Sequence, residues 1–195
     1  MTDALRHGFK ANAERIALSI RRELRIPVSD RLSCFELARH LCIPIKTLID
    51  LQREGASIQS IRHLMDAKTK FSALTVCAGT RRLIVYNAAE PPGRQANSLA
   101  HELSHAILEH PPAPALGKGG CRQWNPQYEA EADWLAGALL VPRDGVFARL
   151  AAGDTLLAGA DHFGVSLPLF RWRANQTGVL RQLKAMGHRL NSVRN

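Results

Sequence analysis

The segment that most constrains the fold of this chain is the run 98–108, because it places His101, Glu102 and His105 in one short helix-forming stretch. On an α-helix, residues four positions apart lie on the same face, so His101 and His105 can bind a single metal ion. Glu102 lies beside them, where its carboxylate can accept a proton from a metal-bound water. The run therefore predicts a helix that faces a second element carrying a third ligand.

His110 follows in the same run, but the spacing does not favour it as that third ligand. It comes nine residues after His101, which is about 900° of helical rotation and places it on the opposite side of a continued helix. The metzincin spacing would also require glycine at 108 and histidine at 111, where this chain has Leu108 and Pro111. We expect His110 to be a helix-end residue near the negative end of the helix dipole.

The acidic stretch that begins at Glu129 is predicted to form the second helix of the site. Its apolar residues recur at helical spacing and define a buried stripe, Ala132, Leu135, Ala136, Leu139 and Leu140. Extending the stripe backwards reaches Glu129, the favoured third ligand, whereas Glu131 lies at its edge and is the alternative. Asp133 follows the same side and can accept a hydrogen bond from a ligand histidine, which would fix its tautomer. The competing explanation for these acidic residues is that their negative charge only complements the positive N-terminal end of the helix dipole.

Residues 73–76 and 83–86 are predicted to form a β-hairpin, because both runs are rich in β-forming residues and the segment 77–80 between them contains glycine. The hairpin comes shortly before the histidine helix. An edge strand in that position can pair with an extended substrate by β-augmentation. The alternative is that the hairpin only forms one wall of the core, and the two roles are compatible.

The ends of the chain have helical patterns. A helix is predicted from Ala4 to Arg25 and ends before Pro27, and a second helix follows Asp30, with a further helical turn within 46–52. Two short helices with a break between them are typical either of a helix-turn-helix or of a helical cap on the core, and the break favours the cap.

The pattern after Pro142 is again helical. We predict helices at 144–151 and 155–163, and a third helix for which Ser166 is a suitable N-cap. This tail either packs on the core or forms a second element like a helix-turn-helix that contacts DNA or a repressor. Packing is the favoured interpretation.

The formal net charge of +9, from 26 Lys and Arg against 17 Asp and Glu, permits binding to nucleic acid or to an acidic partner. Solvated helix faces explain the charge equally well, since the basic residues are spread and not interleaved with aromatic residues. No apolar run has the length of a membrane span and the N-terminus has no secretory pattern, so we expect no membrane partner. Four cysteines without CxxC spacing agree with reduced thiols in a cytoplasm.

Taken in order, these motifs resemble the ImmA/IrrE family of metallopeptidases. The resemblance covers roughly residues 30–180 and rests on four segments: Phe71–Thr75 with Arg82–Asn87, Arg94–His105, Glu129–Pro142, and Phe163–Ser166 with the helix that follows. It implies a zinc-dependent endopeptidase with one zinc per chain. It also implies that the protein substrate is a helix-turn-helix transcriptional repressor, whose cleavage derepresses stress-response or mobile-element genes. DNA binding stays an open expectation.

Carried over residue by residue, the resemblance implies that His101, His105 and a glutamate of the second helix are the metal ligands and that Glu102 is the general base. Two positions depart from the family pattern. Ser104 stands where the family commonly has glycine, and Leu135 stands where it usually has an aromatic residue. Both departures concern the shape of the pocket and leave the metal-binding residues intact.

Together these elements predict an α+β fold, in which a small β-sheet packs on the histidine helix and the glutamate helix, with helical N-terminal and C-terminal elements. We expect residues 1–66 to form an N-terminal helical region, 67–142 the zinc metallopeptidase core, and 143–195 a C-terminal helical region.

Peptide hydrolysis would also need a donor to the developing oxyanion, and Tyr128, Tyr86 and His162 are the candidates. The alternative function, from another class, is a non-enzymatic regulator that binds DNA or a repressor and has a structural or vestigial metal site.

Overall fold

The computed structural model describes residues 5–57, 71–111 and 125–187. Those ranges contain nine helices and three strands. The elements, in chain order, are α1 Phe9–Glu23, α2 Cys34–His40, β1 Ile45–Thr47, α3 Leu48–Arg53, β2 Ala73–Ala78, β3 Arg81–Tyr86, α4 Pro92–Ile107, α5 Pro126–Leu140, α6 Arg143–Ala151, α7 Leu156–Phe163, α8 Leu167–Gln176 and α9 Val179–Ala185. The predicted α+β class is confirmed. The expected boundary between residues 66 and 67 lies outside the described residues.

The three strands form one mixed sheet in the order β1-β3-β2. The predicted hairpin is confirmed: β2 and β3 are antiparallel, with Ala73 opposite Tyr86 and Ala78 opposite Arg81. Each strand is two residues longer than the sequence indicated, because Gly79 takes a positive φ of 61° and closes a tight turn. β1 pairs in parallel with β3, so β2 is an edge strand of the sheet.

β1 corrects the prediction for the segment after α2. The sequence favoured a helical turn within 46–52, but residues 45–47 form a strand and α3 begins at Leu48. Pro44 disfavours helix at this point, and its carbonyl accepts a hydrogen bond from the Ile84 amide that extends the pairing with β3. Thr47 then caps α3 through a reciprocal capping box with Asp50. Since a strand separates α2 from α3, the pair is not a helix-turn-helix.

The sheet has a helical layer on each face. Ile84 of β3 belongs to the main core, together with Leu99 and Leu103 of α4. Val85 points to the other face and packs in a small second cluster with Leu48 of α3. α4 also contacts α5, and α5 packs against α1. The histidine helix is therefore held between the sheet and the glutamate helix.

Two buried arginines anchor the C-terminal end of α5, whose last carbonyl groups have no partners inside the helix. Arg21 of α1 donates from Nη2 to the Leu139 carbonyl at 2.9 Å. Arg173 of α8 donates from Nε to the Val141 carbonyl at 2.9 Å, and its charge is paired with Glu14. Burial lowers the pKa of Arg21 to about 10, which still leaves the guanidinium charged at neutral pH. These contacts fix the axis of the helix that carries the acidic residues of the site.

The C-terminal helices follow the sequence closely. Ser166 caps α8 by accepting a hydrogen bond from the Leu169 amide, as predicted. Phe170, Arg173 and Ala174 of α8 are buried. Along the described residues, no helix combines the length and the apolar character that crossing a bilayer requires.

Candidate metal centre

The candidate site lies between α4 and α5. α4 begins with Pro92 at its first turn and buries Leu99, Ala100 and Leu103, which leaves His101 and His105 on the face turned toward α5. α5 begins after Asn125, whose side chain accepts from the amides of the first turn. This start places Glu129 in the first turn of α5, facing the histidines.

The three side chains form a compact donor set. Glu129 Oε2 lies 3.2 Å from Nε2 of His101 and 3.7 Å from Nε2 of His105, and the two histidine nitrogens are 3.1 Å apart. Ligands about 2.0–2.1 Å from a tetrahedral zinc ion lie about 3.3 Å from one another, so the spacing fits one ion. Among the described residues, this is the one group of such side chains whose ligand atoms come close enough to hold a metal.

The charges of the donor set are strongly coupled. Burial alone would lower the pKa of His101, but its hydrogen bonds with Asp133 and Glu129 outweigh burial and raise the pKa to about 9. Burial would raise the pKa of Glu129, and the neighbouring side chains of His101 and His105 lower it far below the usual range. With these side chains alone, a positive imidazolium pairs with a negative carboxylate. A divalent cation would supply the same positive charge to Glu129.

Glu102 is one residue after His101 on α4 and turns toward the sheet. Its side chain is 5% exposed, and Thr75 of β2 donates its hydroxyl proton to Glu102 Oε2 at 2.5 Å. This hydrogen bond occupies Oε2 of Glu102. Among the described residues, no side chain forms a hydrogen bond with the other carboxylate oxygen, Oε1. The sequence did not indicate Thr75, because the contact joins a strand and a helix that are 27 residues apart.

The two other acidic residues of α5 occupy different surroundings. Asp133 Oδ1 accepts a hydrogen bond from His101 Nδ1 at 2.8 Å, and its side chain is 61% exposed. Glu131 is fully buried and lies outside the donor set. Its carboxylate accepts from Arg6 at 2.6 and 2.7 Å and from Gln127 at 3.0 Å.

His110 lies close to His105, although it was expected on the opposite side of the helix. α4 ends at Ile107, so His110 lies just beyond the end of the helix, as expected. Glu109 takes a left-handed φ of 54°, which turns the chain back toward His105. The His110 ring is 5% exposed, with Nδ1 2.9 Å from His105 Nδ1 and Nε2 3.3 Å from Glu131 Oε2. The extrapolation of helical rotation was wrong because the helix does not continue to residue 110.

The three candidate oxyanion donors have different partners. Tyr128 precedes Glu129 on α5 and stacks on the His110 ring, with centroids 4.5 Å apart. The Tyr86 ring makes an edge contact with Phe35. His162 on α7 donates from Nε2 to the Ser29 carbonyl at 2.6 Å. Of the three, Tyr128 contacts a residue that itself contacts the donor set.

Sequence comparison gives one family for this arrangement. Residues 53–175 match the Peptidase_M78 family, described as the IrrE N-terminal-like domain. The match covers well over half of the chain and includes both helices of the donor set and the hairpin. No curated protein matches the chain. Since the family is one of metallopeptidases, the donor set and the match agree, and the chain belongs to the Peptidase_M78 family of IrrE N-terminal-like domains, with a metallopeptidase-type function on a protein substrate.

Proposed function

We propose that the chain is a zinc-dependent endopeptidase in which His101, His105 and Glu129 hold one zinc ion and Glu102 is the general base. The observation that carries the proposal is the separation of the three ligand atoms by 3.1–3.7 Å, which suits a single tetrahedral ion. Two imidazole nitrogens and one carboxylate oxygen are the donors of many catalytic zinc sites, and they favour zinc over harder cations.

When bound, zinc would acidify a water molecule and polarise the carbonyl of the scissile bond. Glu102 would accept a proton from the attacking water and later donate it to the leaving amine. Thr75 binds Oε2 of Glu102, which leaves Oε1 to accept the proton. Asp133 orients His101. Tyr128 is the proposed donor to the oxyanion, because it neighbours Glu129 in the chain.

The substrate is proposed to bind in extended form along β2. β2 pairs with β3 on one side and is an edge of the described sheet on the other, and Thr75 links this strand directly to Glu102. The exposed Val76 lies next to Thr75 on the strand. A peptide paired with this edge would pass the general base at the level of Thr75.

By the resemblance described above, the protein substrate would be a helix-turn-helix repressor, and its cleavage would derepress stress-response or mobile-element genes. A reducing cytoplasm is the proposed compartment, because Cys34, Cys42 and Cys77 are free thiols. The substrate and the regulated genes are the parts of the proposal that depend on the family and not on the geometry.

The first test is elemental analysis of the purified protein, with about one zinc per chain expected. Glu102→Gln should retain zinc, because Glu102 is not a ligand. It should lose on the order of 10²–10⁴-fold in cleavage of a peptide library read by mass spectrometry, because the amide cannot accept the proton. Full cleavage by Glu102→Gln would refute the mechanism. Salt-sensitive DNA binding without zinc or cleavage would favour the non-enzymatic regulator.

A further inference from the structure

We propose that His110 is a positioning residue that fixes the tautomer of His105 by linking it to the buried carboxylate of Glu131. The inference rests on the proposed metal site, since His105 is one of its ligands. It gives a role to three residues that the ligand set leaves out: His110, Glu131 and Arg6. The proposal stands on the direction of each hydrogen bond in a chain of four side chains.

The direction is set at Glu131. Arg6 binds this carboxylate through two nitrogens, Nε at 2.6 Å and Nη2 at 2.7 Å, and Gln127 adds a third donor. Arg6 donates to both oxygens of Glu131, one nitrogen to each, which is the two-point geometry of an arginine paired with an ionised carboxylate. An ionised carboxylate can only accept hydrogen bonds. Whatever faces Glu131 must therefore donate.

His110 faces Glu131 with Nε2, at 3.3 Å, so Nε2 carries the proton. A neutral imidazole has one proton, which leaves the lone pair on Nδ1 of His110. That nitrogen is 2.9 Å from Nδ1 of His105, so His105 must donate from Nδ1. The lone pair of His105 is then on Nε2, the atom that faces His101 and Glu129. This is the tautomer that a metal ligand at Nε2 requires.

The packing of His110 supports a positioning role. Its ring is 5% exposed and stacks on Tyr128 with an interplanar angle of 21°, so the ring is held in one plane. The amide of His110 also donates to the His105 carbonyl at 3.0 Å, which ties the two residues together through the backbone. The side chain of His105 is itself only 14% exposed, so water has limited access to this contact.

Two substitutions of His110 separate hydrogen bonding from packing. His110→Asn keeps an acceptor, because Oδ1 of asparagine can take the place of the imidazole Nδ1, but it loses the stacked ring. His110→Phe keeps a ring on Tyr128 and loses the acceptor. We expect the zinc affinity, measured by competition with a chromophoric chelator, to fall about tenfold in His110→Phe and to stay within about threefold of wild type in His110→Asn.

The reverse order, with His110→Phe close to wild type and His110→Asn weakened, would overturn the proposal and assign His110 a packing role. Equal affinities for all three proteins would overturn it as well. His40→Asn is the matched control, because His40 also pairs with a glutamate, Glu23, but belongs to α2 and is outside the donor set. Its zinc affinity should be unchanged.

A second measurement needs neither zinc nor a variant. The ¹⁵N shifts of the imidazole nitrogens report the tautomer, and in metal-depleted wild-type protein His105 should carry its proton on Nδ1. A proton on Nε2 of His105 would overturn the proposal even if His110→Phe failed to fold. If wild-type protein binds no zinc but His105 has the expected tautomer, the proposed function fails and the role of His110 stands.

Discussion

The two histidines of the donor set differ in how their second nitrogen is held. His101 donates directly to Asp133, a carboxylate that is 61% exposed to solvent. His105 contacts His110, which in turn contacts the fully buried Glu131. One side of the site therefore depends on a single hydrogen bond at the surface, and the other depends on a chain that ends inside the protein. Both sides place Nε2 of the histidine toward Glu129.

The two arrangements differ in how much they contribute to folding. A surface carboxylate is well solvated, so the contact of Asp133 with a neutral His101 adds little to folding, and solvent and salt weaken it. A buried carboxylate needs partners for all of its charge, and Glu131 obtains them from Arg6, Gln127 and His110. Once His101 is neutral, Asp133 is expected to matter for the metal alone, whereas Glu131 is expected to matter for both the metal and the fold.

The largest effect should come from Glu129, which both histidines contact. Glu129→Ala removes one of the three proposed ligands, and we expect zinc affinity to fall by more than about a hundredfold. Glu131→Ala removes a residue outside the donor set and should cost about tenfold. Chelator competition on both variants checks the difference. If Glu131→Ala lost zinc and Glu129→Ala kept it, the third ligand would be Glu131.

The next largest effect should be a pH dependence of the folding stability of the metal-depleted protein. The pKa of His101 is raised from 6.5 to about 9, so its protonated form stabilises the fold fully below about pH 6.5, and this contribution is lost as pH rises through 9. The loss is at most about 3 kcal/mol. Chemical denaturation across this range measures it, and Asp133→Asn should flatten the dependence because it removes the negative charge of one partner of the imidazolium.

Zinc should reverse that dependence. Binding requires neutral imidazoles, so the stabilisation by added zinc should grow as pH rises from about 6.5 to 9. Stability of the metal-depleted protein that increases over the same range would contradict the assigned contacts of His101.

The local parts of this structure could be predicted from the sequence, since they depend on local periodicity. His101, Glu102 and His105 share a helix, and the β2–β3 hairpin has a short turn with glycine, so spacing alone identifies both. β1 was missed because it has only three residues and its partner strand is about forty positions later, with Ile45 opposite Ile84. A strand of that length has too little pattern to be distinguished from a helical turn.

The surroundings of Glu131 could not be predicted, for a related reason. Arg6, its main partner, is 125 residues away in the chain, and no local pattern connects the two. The position of His110 depends on the left-handed conformation of Glu109, which a non-glycine residue seldom adopts and which the sequence does not indicate. Sequence identified the residues that face the metal site, but the residues that support them are brought together only by the fold.

The difference between Glu131 and Asp133 can be tested by measuring the free energy of unfolding. Glu131→Ala leaves the donors of Gln127 and His110 without their buried acceptor, and we expect a loss of about 2 kcal/mol in the free energy of unfolding. Asp133→Ala is the matched control on the same helix and should change it by less than about 0.5 kcal/mol. Urea denaturation of metal-depleted proteins, at a pH above 9 where His101 is neutral, isolates this difference. Equal losses would mean that the burial of Glu131 does not make it more important to folding than Asp133.

The smallest effect is expected for Thr75 of β2, which binds Glu102 but neither histidine of the donor set. Thr75→Val keeps the shape of the side chain but removes the hydroxyl, and Thr75→Ser keeps the hydroxyl. We expect Thr75→Val to lower kcat about fivefold with little change in KM, because a single hydrogen bond of about 1 kcal/mol orients the base and does not bind substrate. Thr75→Ser should restore most of the rate, and zinc affinity should be the same in all three proteins. A loss of zinc in Thr75→Val would show that the sheet supports the metal ligands as well, and the site would then depend on three elements and not on two helices.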